Sequence, residues 1–241
     1  MTNSGHRRAL ITGASSGIGR ETALAFARVG VHLVLVGRSQ PKLESVSEAV
    51  RHLGTDAQTY QIDLADIGQV KARIGSLIQD TGPINFLVNN AGIGYTGDLI
   101  STPLDEWQQV IALNLTSVFQ CIQAVLPQMR DRQQGTIINV ASIAGYQNFP
   151  GWGAYNVSKA GLIALSKTLA AEERAHGIRV VTVVPGAVNT PIWDTETVQA
   201  DFDRSKMLTP DTVAQTIVHA ALMPQHAVIE ELTVMPSAGA L

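Results

Sequence analysis

Tyr155 and Lys159 stand four residues apart in Tyr-Asn-Val-Ser-Lys, and Ser142, thirteen residues upstream, closes the apolar run Thr136-Ile-Ile-Asn-Val-Ala-Ser142. If the residues from about Trp152 to Arg174 are helical, the phenol and the ammonium project from one face. Lys159 shares that stripe with Leu162 and Ile163, and a lysine facing a core is rare unless it has a partner. A neighbouring cation favours phenolate over phenol. Lys159 is therefore expected to lower Tyr155 from its ordinary pKa of about 10, which is too high for easy proton exchange at neutral pH. The competing reading is a core tyrosine with its hydroxyl satisfied and a lysine that snorkels to solvent. The other end of the chain decides between them.

There, Arg8-Ala-Leu-Ile-Thr-Gly-Ala-Ser-Ser-Gly-Ile-Gly19 is a short apolar strand running into a glycine turn, and the helical pattern Arg20 to Val29 follows. The spacing G-x-x-x-G-x-G differs from the usual G-x-G-x-x-G fingerprint. The physical demand is the same: a tight turn, backbone able to approach a pyrophosphate, and amides at a helix N-terminus aimed at its charge. Gly13, Ser15, Ser16, Gly17, Ile18 and Gly19 are the candidate contacts. At the end of the second strand, His32-Leu-Val-Leu-Val-Gly37-Arg38-Ser39, Gly37 occupies the place where an acid would bind a ribose 2′-hydroxyl, and Arg38 follows it. A guanidinium suits a 2′-phosphate, so NADPH is expected to be preferred over NADH. A solvated arginine at a strand end is the alternative.

Taken together, Thr12 to Gly19, Asn89-Asn90-Ala91-Gly92, Asn114, Ser142, Tyr155, Lys159 and Pro185-Gly186 resemble the short-chain dehydrogenase/reductase family over nearly the whole chain. The resemblance implies a Rossmann-type domain, a nicotinamide cofactor and hydride transfer at a carbonyl carbon. It implies catalytic roles for Asn114, Ser142, Tyr155 and Lys159, with Lys159 on the nicotinamide ribose and Ser142 on the substrate carbonyl. In relatives the matching asparagine distorts its helix and holds a water that links the lysine to solvent. Asp63 and Leu64 fall where the family contacts the adenine, and Asn90 and Gly92 where the cofactor lies close to the backbone. Pro185, Gly186, Val188 and Thr190 match the stretch that holds the carboxamide. Within the family the chain looks most like 3-oxoacyl-carrier-protein reductases and bacterial carbonyl reductases, which implies a ketone or acyl thioester as substrate. Members that lose the Tyr or the Lys serve as redox sensors or scaffolds, and that reading stays open as the alternative.

Elsewhere the chain supplies what must position these groups. Apolar strand candidates, Ala9–Thr12, His32–Val36, Ala57–Ile62, Phe86–Asn89, Thr136–Ala141, Arg179–Val184 and Val228–Met235, alternate with helical periodicity. This predicts an α/β doubly wound fold, a seven-stranded parallel sheet with helices on both faces. One domain is expected over residues 1–241, with 8–135 mainly for the cofactor and 136–241 carrying the catalytic residues and a substrate loop at about 186–208. Thr102-Pro103 and Thr209-Pro210 read as capping hydroxyls before a proline at the first helical position. Within the loop, Trp193, Phe202 and Met207 would form an apolar lid, made acidic overall by Asp194, Glu196, Asp201 and Asp203. Ile143 to Gly153, with Tyr146, Phe149 and Trp152, would form the opposite wall. Trp152 and Trp193 are the substrate candidates.

With 45% hydrophobic residues in 241 and a net charge of −3, a large core is available and nucleic acid is an unsuited partner. The N-terminus holds no apolar stretch and no segment reads as a membrane span, so a cytoplasmic location is expected. The single Cys121 sits in an apolar helical pattern, and the six histidines are scattered, so no metal is expected. An acidic carrier protein needs a basic docking patch; Arg130 and Arg132 after the long helix, with Arg174, would supply one. The tail, Glu231-Leu-Thr-Val-Met-Pro-Ser-Ala-Gly-Ala-Leu241, lacks the Gly-Gly pair of many carrier-protein reductases, which implies a broader substrate range. The resemblance also implies a homotetramer.

Overall fold

The structure, a computed structural model, describes residues 7–200 and 202–239. Among them lie seven strands: β1 (Arg8–Thr12), β2 (His32–Gly37), β3 (Ala57–Gln61), β4 (Phe86–Asn89), β5 (Gly135–Val140), β6 (Ile178–Pro185) and β7 (Glu231–Val234). The helices are α1 (Gly17–Arg28), α2 (Gln40–His52), α3 (Val70–Thr81), α4 (Leu104–Ile111), α5 (Ser117–Asp131), α6 (Gly153–Glu173) and α7 (Pro210–Ala221). The strands form one sheet in the order β3-β2-β1-β4-β5-β6-β7, every neighbour parallel. This is the doubly wound fold that the alternation predicts.

Pleating explains the unbroken apolar runs. In β1, Ala9 and Ile11 face a core with Phe26 of α1, Leu43 of α2 and Ile217 of α7. Leu10 faces the opposite core, with Ile74 of α3, Val125 of α5 and Leu162 of α6. A strand covered on both faces has no polar side to alternate with. From β1 the chain moves outward to β2, and from β4 it moves the other way to β5. The loops diverge there and open a crevice beyond the carboxyl ends of the strands.

Two helix starts behave differently. Thr209 Oγ1 accepts from Thr212 N at 3.2 Å and Pro210 opens α7, as expected. At α4 the expectation fails: Pro103 is still extended, and Thr102 Oγ1 donates to Asp98 O at 2.9 Å. The loop carbonyl wins the hydroxyl, and Asp105 and Glu106 in the first turn supply the negative charge that a helix start favours. The last strand is also shorter than expected, because only Glu231–Val234 pairs with β6.

The helical run that begins at Leu104 is interrupted by a π-helical stretch, Ala112–Thr116, between α4 and α5. Taken whole, Leu104–Asp131 is long and apolar enough to cross a membrane by length and composition. Here its apolar residues Leu113, Val118, Cys121, Ile122, Val125 and Met129 are buried against the sheet.

Candidate active site

The crevice is a cleft of about 1010 Å³. Its floor near β1 is made by exclusion of side chains. Gly13 has φ +64°, and a Cβ there would lie 2.9 Å from Ala91 Cα. A Cβ on Gly19 would fall 2.2 Å from Gly13 O, so only glycine lets the helix pack this close to the turn. Asn90 locks the arrangement: its Nδ2 donates to Thr12 O at 3.1 Å and Gly13 O at 3.3 Å. Thr12 Oγ1 in turn accepts from Asn90 N at 3.0 Å and Ala91 N at 3.1 Å. Ser16, the residue before α1, makes no capping bond with its side chain. The first-turn amides of a twelve-residue helix thus remain without a side-chain cap, a favourable seat for an anion.

Gly13, Ser15, Ser16, Gly17 and Ile18 line the cleft with Arg38, Asp63, Leu64, Asn90, Gly92, Pro185, Gly186, Val188 and Thr190. Gly19 does not line it; it is buried behind the turn. Arg38 is exposed at the end of β2 and makes no ion pair among the described residues. Sequence reasoning missed Lys42, which joins it in the lining. The available signal was its place in the first turn of α2, where a cation opposes the helix dipole and so asks for another reason. Asp63 is committed to a turn, its Oδ1 accepting from Ala65 N at 2.9 Å. It caps no helix, since α3 begins at Val70. The glycine cradle, uncapped helix start and paired cations fit a dinucleotide.

Ser142, Tyr155 and Lys159 meet at the carboxyl end of β5, and all three line the cleft. Ser142 Oγ accepts from Ala144 N at 3.2 Å, which leaves its O–H directed elsewhere. Lys159 is 5% exposed, donates to Val140 O at 2.9 Å, and holds Nζ 5.6 Å from the centre of the Tyr155 ring. The snorkelling alternative is thereby excluded. The expected electrostatics are not found in the protein alone. Burial pushes the Tyr155 phenol above its ordinary value, and the Ser142 hydroxyl is the group that opposes it. Burial also pushes Lys159 down to about 8. Loss of water is the dominant cause at both groups, and it disfavours the charged form of each.

Asn114 is fully buried in the π-helical stretch and does not line the cleft. Its Oδ1 accepts from Ile93 N at 2.9 Å, and its Nδ2 donates to Ile93 O at 2.9 Å and Ser158 Oγ at 3.1 Å. Helix distortion at this residue is as the resemblance implies. A Cβ on Gly92 would lie 3.2 Å from Asn114 Oδ1 and 3.7 Å from Lys159 Nζ, so amide and ammonium face the same small space.

Beyond the reaction centre an aromatic series runs outward. Trp152 packs edge-on against Tyr155 at 5.5 Å, Trp193 against Trp152 at 5.7 Å, and Phe202 against Trp193 at 5.5 Å. Phe149 also lines the cleft. Two expected members are absent from it. Met207 is buried, and Tyr146 is 46% exposed, held outside by Glu231 and Lys167. The described residues between 186 and 208 include two short 3-10 turns, Pro191–Asp194 and Arg204–Lys206. Arg204 braces them, donating to Asn189 Oδ1 at 2.8 Å, Thr190 O at 3.0 Å and Asp194 Oδ1 at 2.5 Å. Asp194 is thus paired with Arg204 and Asp203 with Ser205 and Lys206, so two of the lid's acids have partners within it. Asp201 lies outside the described residues.

The arginines read as a docking patch have partners within the chain. Arg130 holds the fully buried Glu173, Arg132 donates to Ile84 O and Gln128 O, and Arg174 pairs with Glu230 at 3.0 Å. Among the described residues no cluster of three or more His, Cys, Asp or Glu side chains could hold a metal ion.

A glycine-floored cleft at the switch point of a doubly wound sheet, with Ser142, Tyr155 and Lys159 at its centre, defines a dinucleotide-dependent oxidoreductase. The chain matches the family model described as short chain dehydrogenase over residues 7–201. It is 38% identical over 210 residues to the 3-oxoacyl-[acyl-carrier-protein] reductase FabG of Staphylococcus aureus (strain N315), covering 87% of this chain and 84% of that protein. It is 32% identical over 234 residues to the glycine betaine reductase ATRR of Emericella nidulans, covering 95% of this chain but only 18% of that protein's length. A crystal structure of a metagenomic short-chain oxidoreductase in complex with NADP superposes with a TM-score of 0.84 at 31% identity, over 96% of this chain and 97% of that one. The chain belongs to the short-chain dehydrogenase family and is an oxidoreductase that binds a nicotinamide cofactor.

Proposed function

We propose that the protein is an NADPH-dependent reductase that converts a ketone, either a 3-oxoacyl thioester or a related 3-oxo ester or simple ketone, to a secondary alcohol. The observation that carries this reading is the burial of Lys159 beside Tyr155, with Ser142 at the same point of the cleft. When bound, the reduced nicotinamide supplies the hydride that reaches the carbonyl carbon. Ser142 donates a hydrogen bond to the carbonyl oxygen and fixes its position. Tyr155, whose phenol stays protonated because burial raises its pKa, gives its proton to that oxygen as negative charge develops there. Lys159 binds the cofactor's ribose and stabilises the tyrosinate that forms. Asn114 holds the backbone at Ile93 beside the lysine, and reprotonation runs past it to solvent.

Preference for NADPH is supported by Arg38 and Lys42 on the cleft and by Gly37 in place of an acid. The case for a carrier-protein patch at Arg130, Arg132 and Arg174 is weakened because each is bonded within the chain. A homotetramer is supported by exposed apolar side chains on the long helices, Leu104, Phe119 and Val157. The test is the initial rate of NADPH oxidation with a 3-oxoacyl thioester and a plain 3-oxo ester side by side. Tyr155→Phe should lose turnover of both while keeping NADPH affinity nearly unchanged. Undiminished turnover in that variant would sink the assignment.

A further inference from the structure

Resting on that reading, we propose that the substrate is an uncharged aryl ketone whose ring lies along the wall formed by Trp152, Trp193 and Phe202. The charged residues lining the cleft are Arg38, Lys42, Asp63 and Lys159. Arg38 follows β2, Lys42 stands in the first turn of α2 and Asp63 lies just after β3, while Lys159 is bonded to Val140 O. From the carbonyl position outward the lining includes Ile143, Phe149, Trp152, Ile192, Trp193 and, farthest out, Phe202. A carboxylate brought there would lose its water and meet no cation, a penalty that the site has no means to offset.

The polar atoms of this half are mostly committed. Trp193 Nε1 donates to Val188 O at 2.7 Å, which fixes the indole and withdraws its donor from a ligand. Thr195 Oγ1 donates to Ile192 O at 3.0 Å. The Ser142 and Tyr155 hydroxyls remain side by side, a donor set matched to one carbonyl oxygen. Past that point the wall is aromatic for three successive steps of 5.5, 5.7 and 5.5 Å, with neighbouring planes inclined by 66°, 71° and 81°. Such edge-to-face series present ring faces and edges that a further flat ring can join. Rigidity matters as well: Thr197 Oγ1 donates to Gly94 O at 2.8 Å and Thr96 N to Thr197 O at 2.9 Å, tying the lid to the loop after β4. A wall held at both ends selects a flat shape better than a flexible chain.

The experiment compares KM for acetophenone, cyclohexyl methyl ketone and 4-acetylbenzoate under saturating NADPH, with ethyl acetoacetate as a small ketone that makes no demand on the wall. KM for acetophenone should lie about five- to tenfold below that for the cyclohexyl analogue. The carboxylate should be worse by about a hundredfold or more. Trp193→Leu should bring the first two within about twofold of each other, and Phe202→Leu, at the solvent end of the wall, should narrow the gap by less. Equal KM values in the parent enzyme, an unchanged ratio in Trp193→Leu, or good use of 4-acetylbenzoate would each overturn the proposal. Turnover of ethyl acetoacetate that Tyr155→Phe abolishes secures the underlying reductase reading whatever the ring preference. If no ketone turns over, quenching of tryptophan fluorescence in the NADP⁺ complex decides, since two of the three tryptophans line the cleft. Quenching by acetophenone and not by 4-acetylbenzoate supports the wall, and equal or absent quenching rejects it.

Discussion

Lys159 is an expensive residue to keep. Its side chain is almost fully buried, and its pKa is pushed from 10.5 to about 8 by the loss of water. The unfolded chain therefore binds a proton that the folded chain has released between about pH 8 and 10.5, so stability rises with pH across that window. Below pH 8 the penalty is complete, at about 3 kcal/mol. Lys159→Met should consequently raise the free energy of unfolding at pH 7 by up to that amount, with the gain fading toward pH 10.5, while abolishing turnover. The same shift gives a binding prediction. If the charged ammonium holds the cofactor's ribose, NADPH affinity should weaken as pH rises through about 8. A flat affinity from pH 7 to 9.5, measured by the fluorescence of bound NADPH, would contradict the role. At this scale the spacing Tyr155-x-x-x-Lys159 was legible in the sequence, because a helix imposes it. The direction of the pKa shifts was not, because desolvation depends on what packs around the pair.

At the scale of elements, the strands were legible almost to the residue, since a strand buried on both faces has to be continuously apolar. Helix starts were legible where the capping hydroxyl had no competitor, as at Thr209, and illegible at Thr102, where a loop carbonyl captured it. The π-helical stretch around Asn114 matches the helix distortion that the family resemblance implied, yet the residue's partners at Ile93 and Ser158 come from distant sequence. The lid gave no periodic signal, because its order comes from Arg204 rather than from a regular element. Arg204→Ala should release both 3-10 turns and raise KM for the ketone roughly tenfold, the worth of its charge-assisted hydrogen bonds, with a much smaller change in kcat. An unchanged KM would mean that the turns hold without the arginine.

For the molecule as a whole, the cleft draws on loops following six of the seven strands, from Gly13 after β1 to Phe202 after β6. A ligand that spans it ties both halves of the sheet together, so binding should appear as global stabilisation. NADPH at a hundred times its dissociation constant should add about 2.7 kcal/mol, a rise of roughly 5–10 °C in Tm for a chain of this size. NADH at the same concentration should add clearly less, and the difference should vanish in Arg38→Ala/Lys42→Ala if those cations hold the 2′-phosphate. Equal shifts for the two cofactors in the parent protein would refute the preference. By itself the sequence determined the doubly wound sheet, the glycine turn and the Ser142, Tyr155 and Lys159 trio, because each follows from local periodicity or from steric limits that few residues meet. Tertiary structure alone decided that Lys159 is buried with a depressed pKa and that Arg130, Arg132 and Arg174 are each bonded within the chain. It also decided that Lys42 joins Arg38 and that Trp152, Trp193 and Phe202 form one wall. Those facts depend on which distant side chains share a volume and on how much water that volume excludes.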